Sequence, residues 1–190
     1  MGNSKKIAAL FVRRDSVYKQ LSNLQGLPEI DCYDIDRDTK TFPGGMPVIC
    51  HPPCRTWGRY AHRAKAPAGE HKLAEWAVEQ VSKWGGVLEH PITSRLTFPL
   101  PRPIYQHYVS GKHRHLYKLN QGWFGHRALK PTIIYVVSTY PLIEIADIII
   151  NAAEKSKERQ YRPLEKLSKK EREATPREFA EFLIWIAERC

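Results

Sequence analysis

Short continuous runs of hydrophobic residues are the clearest pattern along the chain. Residues 7–12 (IAALFV) are apolar throughout, as expected of a strand that is buried on both faces of a sheet, and residues 132–137 (TIIYVV) predict another strong strand. Shorter runs at 30–35, 47–50 and 87–91 predict three further strands, each followed by a proline or by polar residues. The pattern therefore predicts at least five strands.

Helical spacing appears between and after these runs. Residues 15–25 and 69–84 carry apolar positions on one helix face, and Gly85-Gly86 ends the second helix. A helix over 176–188 follows Thr175-Pro176-Arg177-Glu178, which has the form of a capping box with proline at the first helical position. Residues 143–150 predict an element of uncertain type.

The order of these elements predicts an α/β fold. We expect residues 1–190 to form a single Rossmann-like, methyltransferase-like domain with a mostly parallel sheet flanked by helices. The highly charged stretch 154–173 is expected to be a linker or an exposed helix within it. Residues 93–130, with prolines at 99, 101 and 103, do not predict regular structure.

The residues with chemical potential follow the predicted strands. Asp34 and Asp36 come after the second strand, Cys54 after the third, and Glu89 lies at the end of the fourth. Because α/β sheets bind ligands outside the carboxyl ends of their strands, we expect one pocket that contains all four residues.

Cys54 follows two prolines, which fix the backbone and remove two N–H donors. We expect Arg55 and Arg59 to favour its thiolate, the reactive form, and Trp57 to offer a surface on which a base stacks. The alternative is a buried cysteine in a proline-rich turn. Burial of Glu89 is expected to raise the pKa of its carboxyl and suit it to share a proton with a ring nitrogen. The alternative there is an ion pair with an arginine.

The net charge of +10 favours a polyanionic partner, with nucleic acid first and a nucleotide second. Glycines, aromatic residues and basic groups lie together between residues 120 and 130 and fit close approach to a phosphate or a base. The candidate binding residues are therefore Arg13, Arg14, Arg55, Trp57, Arg59, Gln121, Arg127 and Lys130.

These motifs, in this order, resemble those of the DNA cytosine-5 methyltransferases, most closely their short phage and prophage members. His51-Pro52-Pro53-Cys54 resembles the Pro-Cys nucleophile motif, and Leu88-Glu89-His90-Pro91 is similar to the Glu-Asn-Val motif. The resemblance implies that Cys54 adds to C6 of a flipped-out cytosine and that Glu89 contacts the ring. It also implies S-adenosylmethionine as cofactor, near Phe11, Asp34 and Asp36.

The chain departs from that family after Phe11. The family has glycines that let the backbone approach the cofactor, whereas this chain continues with Val12-Arg13-Arg14. Three functions therefore stay open. The first is a pyrimidine-directed enzyme that acts on DNA or a nucleotide. The second is a nucleic-acid or nucleotide binding module without catalysis. The third is a free-nucleotide enzyme that works without S-adenosylmethionine.

Other sites and locations are less favoured by the sequence. Cys50, His51, Cys54 and His62 lack the paired spacing of a zinc site, so no metal is expected. No apolar run reaches the roughly 18 residues of a membrane span, and the first residues lack a signal-peptide pattern. We expect a cytoplasmic protein of a bacterial or phage-infected cell, and the sequence does not predict its oligomeric state.

Overall fold

The computed structural model describes residues 5–22, 24–100, 108–109 and 111–190. In this part of the chain seven strands form one sheet in the order β2-β1-β3-β4-β7-β6-β5. The strands are β1 (Ile7–Leu10), β2 (Ile30–Tyr33), β3 (Val48–Cys50), β4 (Gly86–Pro91), β5 (Tyr108–Val109), β6 (Lys112–Asn120) and β7 (Pro131–Ser138).

The sheet is parallel on one side and antiparallel on the other. Strands β1 to β4 are parallel to one another, whereas β7 pairs antiparallel with both β4 and β6. Strand β6 therefore runs in the same direction as β4, and β5 runs opposite to it. Because most strands share one direction and helices flank the sheet, the expected α/β architecture with a mostly parallel sheet is confirmed at this level.

Helices cover both faces of the sheet. They are α1 (Val17–Leu21), α2 (His71–Trp84), α3 (Glu144–Lys155), α4 (Lys169–Glu173) and α5 (Arg177–Glu188). One apolar core joins α1, α3 and α5 to alternate residues of the strands, such as Ile49 and Val87. The other core joins α2 to the residues between them, such as Cys50 and Leu88. This two-sided burial explains why the strands read as continuous apolar runs.

The strand order places a crevice at one edge of the sheet. The chain leaves β1 toward β2 on one side and later returns as β3 on the other side of β1. Such a reversal leaves the carboxyl ends of β1 and β3 without a covering connection, which is where α/β sheets bind ligands. Because β7 is antiparallel to β4, its amino end lies at the same edge, with Thr132 opposite Pro91.

Two elements differ from the sequence expectations, and the type of a third is now assigned. Residues 112–120, within the stretch that predicted no regular structure, form the nine-residue strand β6, while 101–107 lie outside the described residues. The element of uncertain type is the helix α3. Helix α5 has Pro176 as its N-cap with no side-chain capping bond, and the capping box instead joins Ser168 and Glu171 at α4.

Candidate functional site

A cavity of about 740 Å³ lies at the carboxyl ends of β1, β3 and β4 and at the amino end of β7. It contains side chains from every one of these strand ends and from α1 and α4. The residues with reactive or charged groups that matter most are Tyr18, His51, Cys54, Glu89, Lys130 and Lys170. The structure thus brings Cys54 and Glu89 together, as the strand-end pattern predicted.

The Cys54 side chain is positioned by the turn that follows β3. Hydrogen bonding with β1 continues one residue beyond the strand, because the His51 N–H donates to the carbonyl of Leu10 at 3.1 Å. Pro52 is buried, and the Cys54 carbonyl accepts from the N–H groups of Trp57 and Gly58, both at 3.0 Å. The cysteine is therefore held at the start of a rigid turn, half-buried at the cavity wall.

The thiol of Cys54 does not have the environment that the sequence predicted. Arg55 donates two hydrogen bonds of 2.7 Å to the carboxylate of Glu70, so its charge is directed away from the sulfur. Burial and the charge of Glu89 raise the pKa of the Cys54 thiol above its ordinary value. The cation that opposes this shift is Lys130, which the sequence had assigned to a ligand. Cys54 is consequently a protonated thiol near neutral pH.

Glu89 is held by a chain of side chains that begins at α1. The Tyr18 hydroxyl lies 2.9 Å from Nε2 of His51, and Nδ1 of His51 lies 3.1 Å from Oε2 of Glu89. Burial holds the pKa of the Tyr18 hydroxyl well above its ordinary value, so the phenol keeps its proton. The network is satisfied when Tyr18 donates to Nε2 and the Nδ1–H of His51 donates to Glu89.

The second carboxylate oxygen of Glu89 is held from β7 and the turn before it. Nε2 of Gln121 donates to Oε1 of Glu89 at 3.0 Å and to Oγ1 of Thr132 at 3.1 Å. Gln121 is 1% exposed, so it positions Glu89 from within the protein. The sequence had placed Gln121 among the nucleic-acid or nucleotide contacts, and that assignment stays a prediction.

The ionisation of Glu89 differs from the sequence expectation. Burial by itself raises the pKa of this carboxyl, as predicted, but the hydrogen bond from His51 and the charge of Lys130 outweigh it. The net pKa of Glu89 therefore lies below its ordinary value, and the group is a carboxylate at neutral pH. The neighbouring His90 stays neutral, because burial lowers its pKa to about 4.

Lys130 lines the same cavity as the two candidate catalytic groups, Cys54 and Glu89. Burial lowers the pKa of its ammonium group, and the charge of Glu89 opposes that shift. Its Nζ donates to the carbonyl of Ala174 at 3.2 Å. Lys130 precedes β7 in the left-handed region at φ 49°, and the other non-glycine residue with positive φ in the described chain is Phe11, at 60°. Both residues line the cavity, and such strain often occurs at functional sites.

Part of the charged stretch 154–173, for which the sequence predicted a linker or an exposed helix, is the exposed helix α4, and the segment 169–175 also forms one wall of the cavity. Arg13 pairs with Glu173 at 3.1 Å, and Lys170 pairs with Asp15 at 3.0 Å. The other basic groups that this segment places on the cavity are Lys169 and Arg172. Lysines and arginines outnumber carboxylates along the cavity wall, which favours an anionic ligand.

Asp34 and Asp36, after β2, do not line this cavity. Asp34 pairs with Lys19 and accepts the N–H groups of Asp36 and Arg37 at 2.9 and 3.0 Å. The hydrogen bond from Lys19 is the main reason that the pKa of Asp34 falls to about 2. Asp36 accepts two hydrogen bonds from Arg14 at 2.6 and 2.7 Å. The structure therefore separates these acids from Cys54 and Glu89, contrary to the expected single pocket.

The remaining predicted residues lie in three places. Trp57 donates from its ring N–H to the carbonyl of His71 at 3.1 Å and packs against the α2 core, so it stabilises the turn after Cys54. Arg127 pairs with Glu171 at the surface. Arg59 lines a second, more open groove of about 520 Å³, which also contains Cys54 and the exposed ring of Tyr60.

Within the described ranges no group of three or more histidine, cysteine, aspartate or glutamate side chains is arranged to hold a metal ion. None of the helices that the structure describes is long and apolar enough to span a membrane.

No protein-family model matches the chain, and no curated protein sequence is significantly similar to it.

Sequence reasoning missed two parts of this site. Tyr18 and His51 orient Glu89, yet Tyr18 lies on the buried face of α1, where an aromatic residue is ordinarily core. The wall formed by residues 169–175 was missed because charge runs are usually solvated. The sequence did carry a signal that His51 belongs to the site, because this residue follows a buried strand and directly precedes Pro52-Pro53-Cys54.

Proposed function

We propose that the protein is an enzyme that activates a pyrimidine base, in a nucleotide or in DNA, by covalent addition. Cys54 adds to C6 of the ring, and Glu89 contacts the ring edge. The observation that carries this proposal is that Cys54, Glu89 and Lys130 line one cavity at the crevice of an α/β sheet. Its volume of about 740 Å³ lies within the range of about 300–1,000 Å³ that is common for small-ligand sites.

The chemistry of this step is an addition of the thiol across the C5=C6 double bond. A bond forms between Sγ of Cys54 and C6, and the electron pair of the double bond moves toward C5 and the group at position 4. The thiol proton leaves to the amine of Lys130 when that amine is neutral, or to water, and another proton reaches C5. Reversal of the addition exchanges the hydrogen on C5 with solvent.

The residues around the cavity do not fit S-adenosylmethionine well. Arg13 stands where the resembled family has its first glycine, and the ring of Phe11 packs against Trp76 with centroids 5.9 Å apart. Asp34 and Asp36 have Lys19 and Arg14 as partners outside the cavity. We therefore propose that the addition step works without that cofactor, and no step of the chemistry above passes through it.

The open groove beside Cys54 supports a polymeric substrate as one form of the proposal. Arg59, Tyr60 and Arg63 lie along it, and an arginine-rich groove with an exposed aromatic ring suits a single strand of DNA. If DNA follows this groove, Arg59→Glu will weaken binding of a single-stranded oligonucleotide and reduce its salt dependence. The same change will leave binding of a mononucleotide within about twofold if the cavity alone takes the nucleotide.

A binding module without catalysis is the second candidate, and the raised pKa of the Cys54 thiol favours it. The two candidates differ in whether a covalent bond forms. In 5-azapyrimidines the ring nitrogen at position 5 accepts the proton, so thiol addition at C6 is completed without any other reagent.

The test is intact-mass spectrometry after incubation with the 5-azacytosine and 5-azauracil nucleotides, and with oligonucleotides that contain each base. We expect the mass of one nucleotide or oligonucleotide to be added to the wild type and to Cys32→Ala, the matched control, but not to Cys54→Ala. Binding without any covalent adduct would establish the binding module instead.

A further inference from the structure

We infer that this site takes a base of the uracil class, with an N–H at ring position 3 between two carbonyl groups, in preference to cytosine. This inference rests on the proposed function, because it names the base that Cys54 attacks. It starts from the direction of the hydrogen bonds around Glu89.

The orientation of Gln121 is fixed by its neighbours. Oγ1 of Thr132 donates to the carbonyl of Lys130 at 3.0 Å, so this oxygen accepts the hydrogen bond from Nε2 of Gln121. The amide N–H₂ is thereby directed at Glu89, and the carbonyl oxygen of Gln121 is buried with no hydrogen-bond partner among the described residues. A buried oxygen without a hydrogen-bond partner is unfavourable, yet this orientation of the amide is the one that places a donor on Glu89.

His51 gives the same result at the other oxygen. Whether the ring is neutral, with Tyr18 donating to Nε2, or doubly protonated, its Nδ1–H donates to Oε2 of Glu89. Both carboxylate oxygens of Glu89 therefore accept hydrogen bonds from protein groups. The remaining lone pairs of Glu89 are directed at the cavity, and they can only accept hydrogen bonds.

An acceptor at this place distinguishes the two pyrimidines. N3 of cytosine carries a lone pair and is therefore a hydrogen-bond acceptor, like the carboxylate. The two groups cannot form a hydrogen bond unless an extra proton is bound between them. N3 of uracil carries a hydrogen and donates to Glu89 directly. Buried polar groups that are left unpaired discriminate strongly between related ligands.

Lys130 supplies the donor that uracil needs beside N3. Lys130 lines the same cavity as Glu89 and Cys54, and its Nζ donates to the carbonyl of Ala174 at the cavity wall. Addition of sulfur to C6 of uracil moves negative charge onto the oxygen at position 4, and a nearby ammonium stabilises that charge. Glu89 as acceptor and Lys130 as donor match the N–H and the carbonyl oxygen of uracil.

The test is exchange of the C5 hydrogen with deuterium oxide, measured by mass spectrometry. The substrates are dUMP, dCMP, and two oligonucleotides that contain a single deoxyuridine or deoxycytidine. Each rate is divided by the rate with free cysteine at the same pH, which corrects for the reactivity of the base itself. We expect the uracil substrate to exchange at least tenfold faster in the form, monomer or oligonucleotide, that the protein accepts.

Equal or faster exchange at cytosine would overturn the inference and leave the proposed function standing. Absence of exchange at both bases, together with absence of an azapyrimidine adduct, would remove the proposed function as well. Glu89→Gln adds a specificity readout, because an amide offers both a donor to N3 and an acceptor to the amino group of cytosine. We expect this variant to shift the rate ratio toward cytosine by at least tenfold. A proportional loss of both rates would indicate a structural role for Glu89 and contradict the inference.

Discussion

The ends of β2 and β4 both carry acids at the carboxyl edge of the same sheet, yet the structure gives them opposite environments. After β2, Asp34 and Asp36 are each paired with a cation and lie outside the cavity. At the end of β4, Glu89 accepts from His51 and Gln121 and keeps lone pairs toward the cavity. An acid at a strand end is therefore available for a ligand only when its protein partners leave some of its carboxylate lone pairs without a hydrogen bond.

The position of Glu89 depends on how closely β4 packs against β3. Gly86 begins β4 at φ 115°, and a Cβ atom there would lie 2.0 Å from the carbonyl oxygen of Val48. We expect Gly86→Ala to lower the free energy of unfolding by about 3 kcal/mol or more, because β3 and β4 must separate. Gly45→Ala is the control, since it has positive φ but open space and should cost about 1 kcal/mol. Equal losses in urea unfolding would contradict the close approach of the strands.

Substitution of the two acids tests the comparison at the level of activity. We expect Glu89→Gln to lower C5 exchange at uracil roughly a hundredfold, about 2.7 kcal/mol in the barrier. Asp36→Asn, at the end of β2, should change that rate less than twofold, because Asp36 lies outside the cavity and pairs with Arg14. The two rates are measured on proteins with matched circular dichroism spectra. A large loss of exchange rate in Asp36→Asn would mean that the end of β2 contributes to the site.

The protonation of Cys54 gives a prediction about pH. Since burial and the Glu89 charge raise the pKa of this thiol above its ordinary value of 9.0, alkylation by iodoacetamide needs the minor thiolate form. We expect the rate at Cys54, followed by peptide mapping, to rise about tenfold per pH unit from pH 6 to about pH 9. A plateau near pH 7 would mean that a cation has lowered the pKa, as the sequence suggested for Arg55 and Arg59.

Asp34 should contribute to stability and not to the site. Its pKa is about 2 in the folded protein against an ordinary value of 3.8, mainly because Lys19 donates to it. A lowered folded pKa stabilises the protein above the ordinary value and loses that contribution as the pH falls toward 2. We expect Asp34→Asn to cost about 1 kcal/mol at pH 6, since the partly exposed Lys19 is screened by solvent. The difference from wild type should shrink as the pH falls from 4 through 2, and a difference that stays constant over that range would contradict the ion pair.

The sequence predicted the sheet half that carries the site better than the other half. Strands β1, β3, β4 and β7 were visible as apolar runs because they are largely buried on both faces, whereas the edge strand β2 was predicted from a shorter pattern that ends in acids. Strand β6 was not, since His113, Arg114, His115 and Tyr117 give it neither an apolar run nor alternation of apolar and polar residues.

The site was likewise predicted only in part. Strand ends predicted that Cys54 and Glu89 meet, because parallel strands end at one edge. Sequence cannot tell which cation reaches which acid, and those pairings come from distant segments. Arg13 with Glu173 and Lys130 with the carbonyl of Ala174 are examples, and they turn a charged stretch into a cavity wall.

The most direct test of the central claim is a crystal structure of the protein after reaction with a 5-azapyrimidine nucleotide. We expect continuous electron density between Sγ of Cys54 and C6 of the ring, with the N3 edge of the base against Glu89 and with Lys130 beside the group at position 4. A nucleotide attached to another cysteine, or bound with its N3 edge away from Glu89, would contradict it.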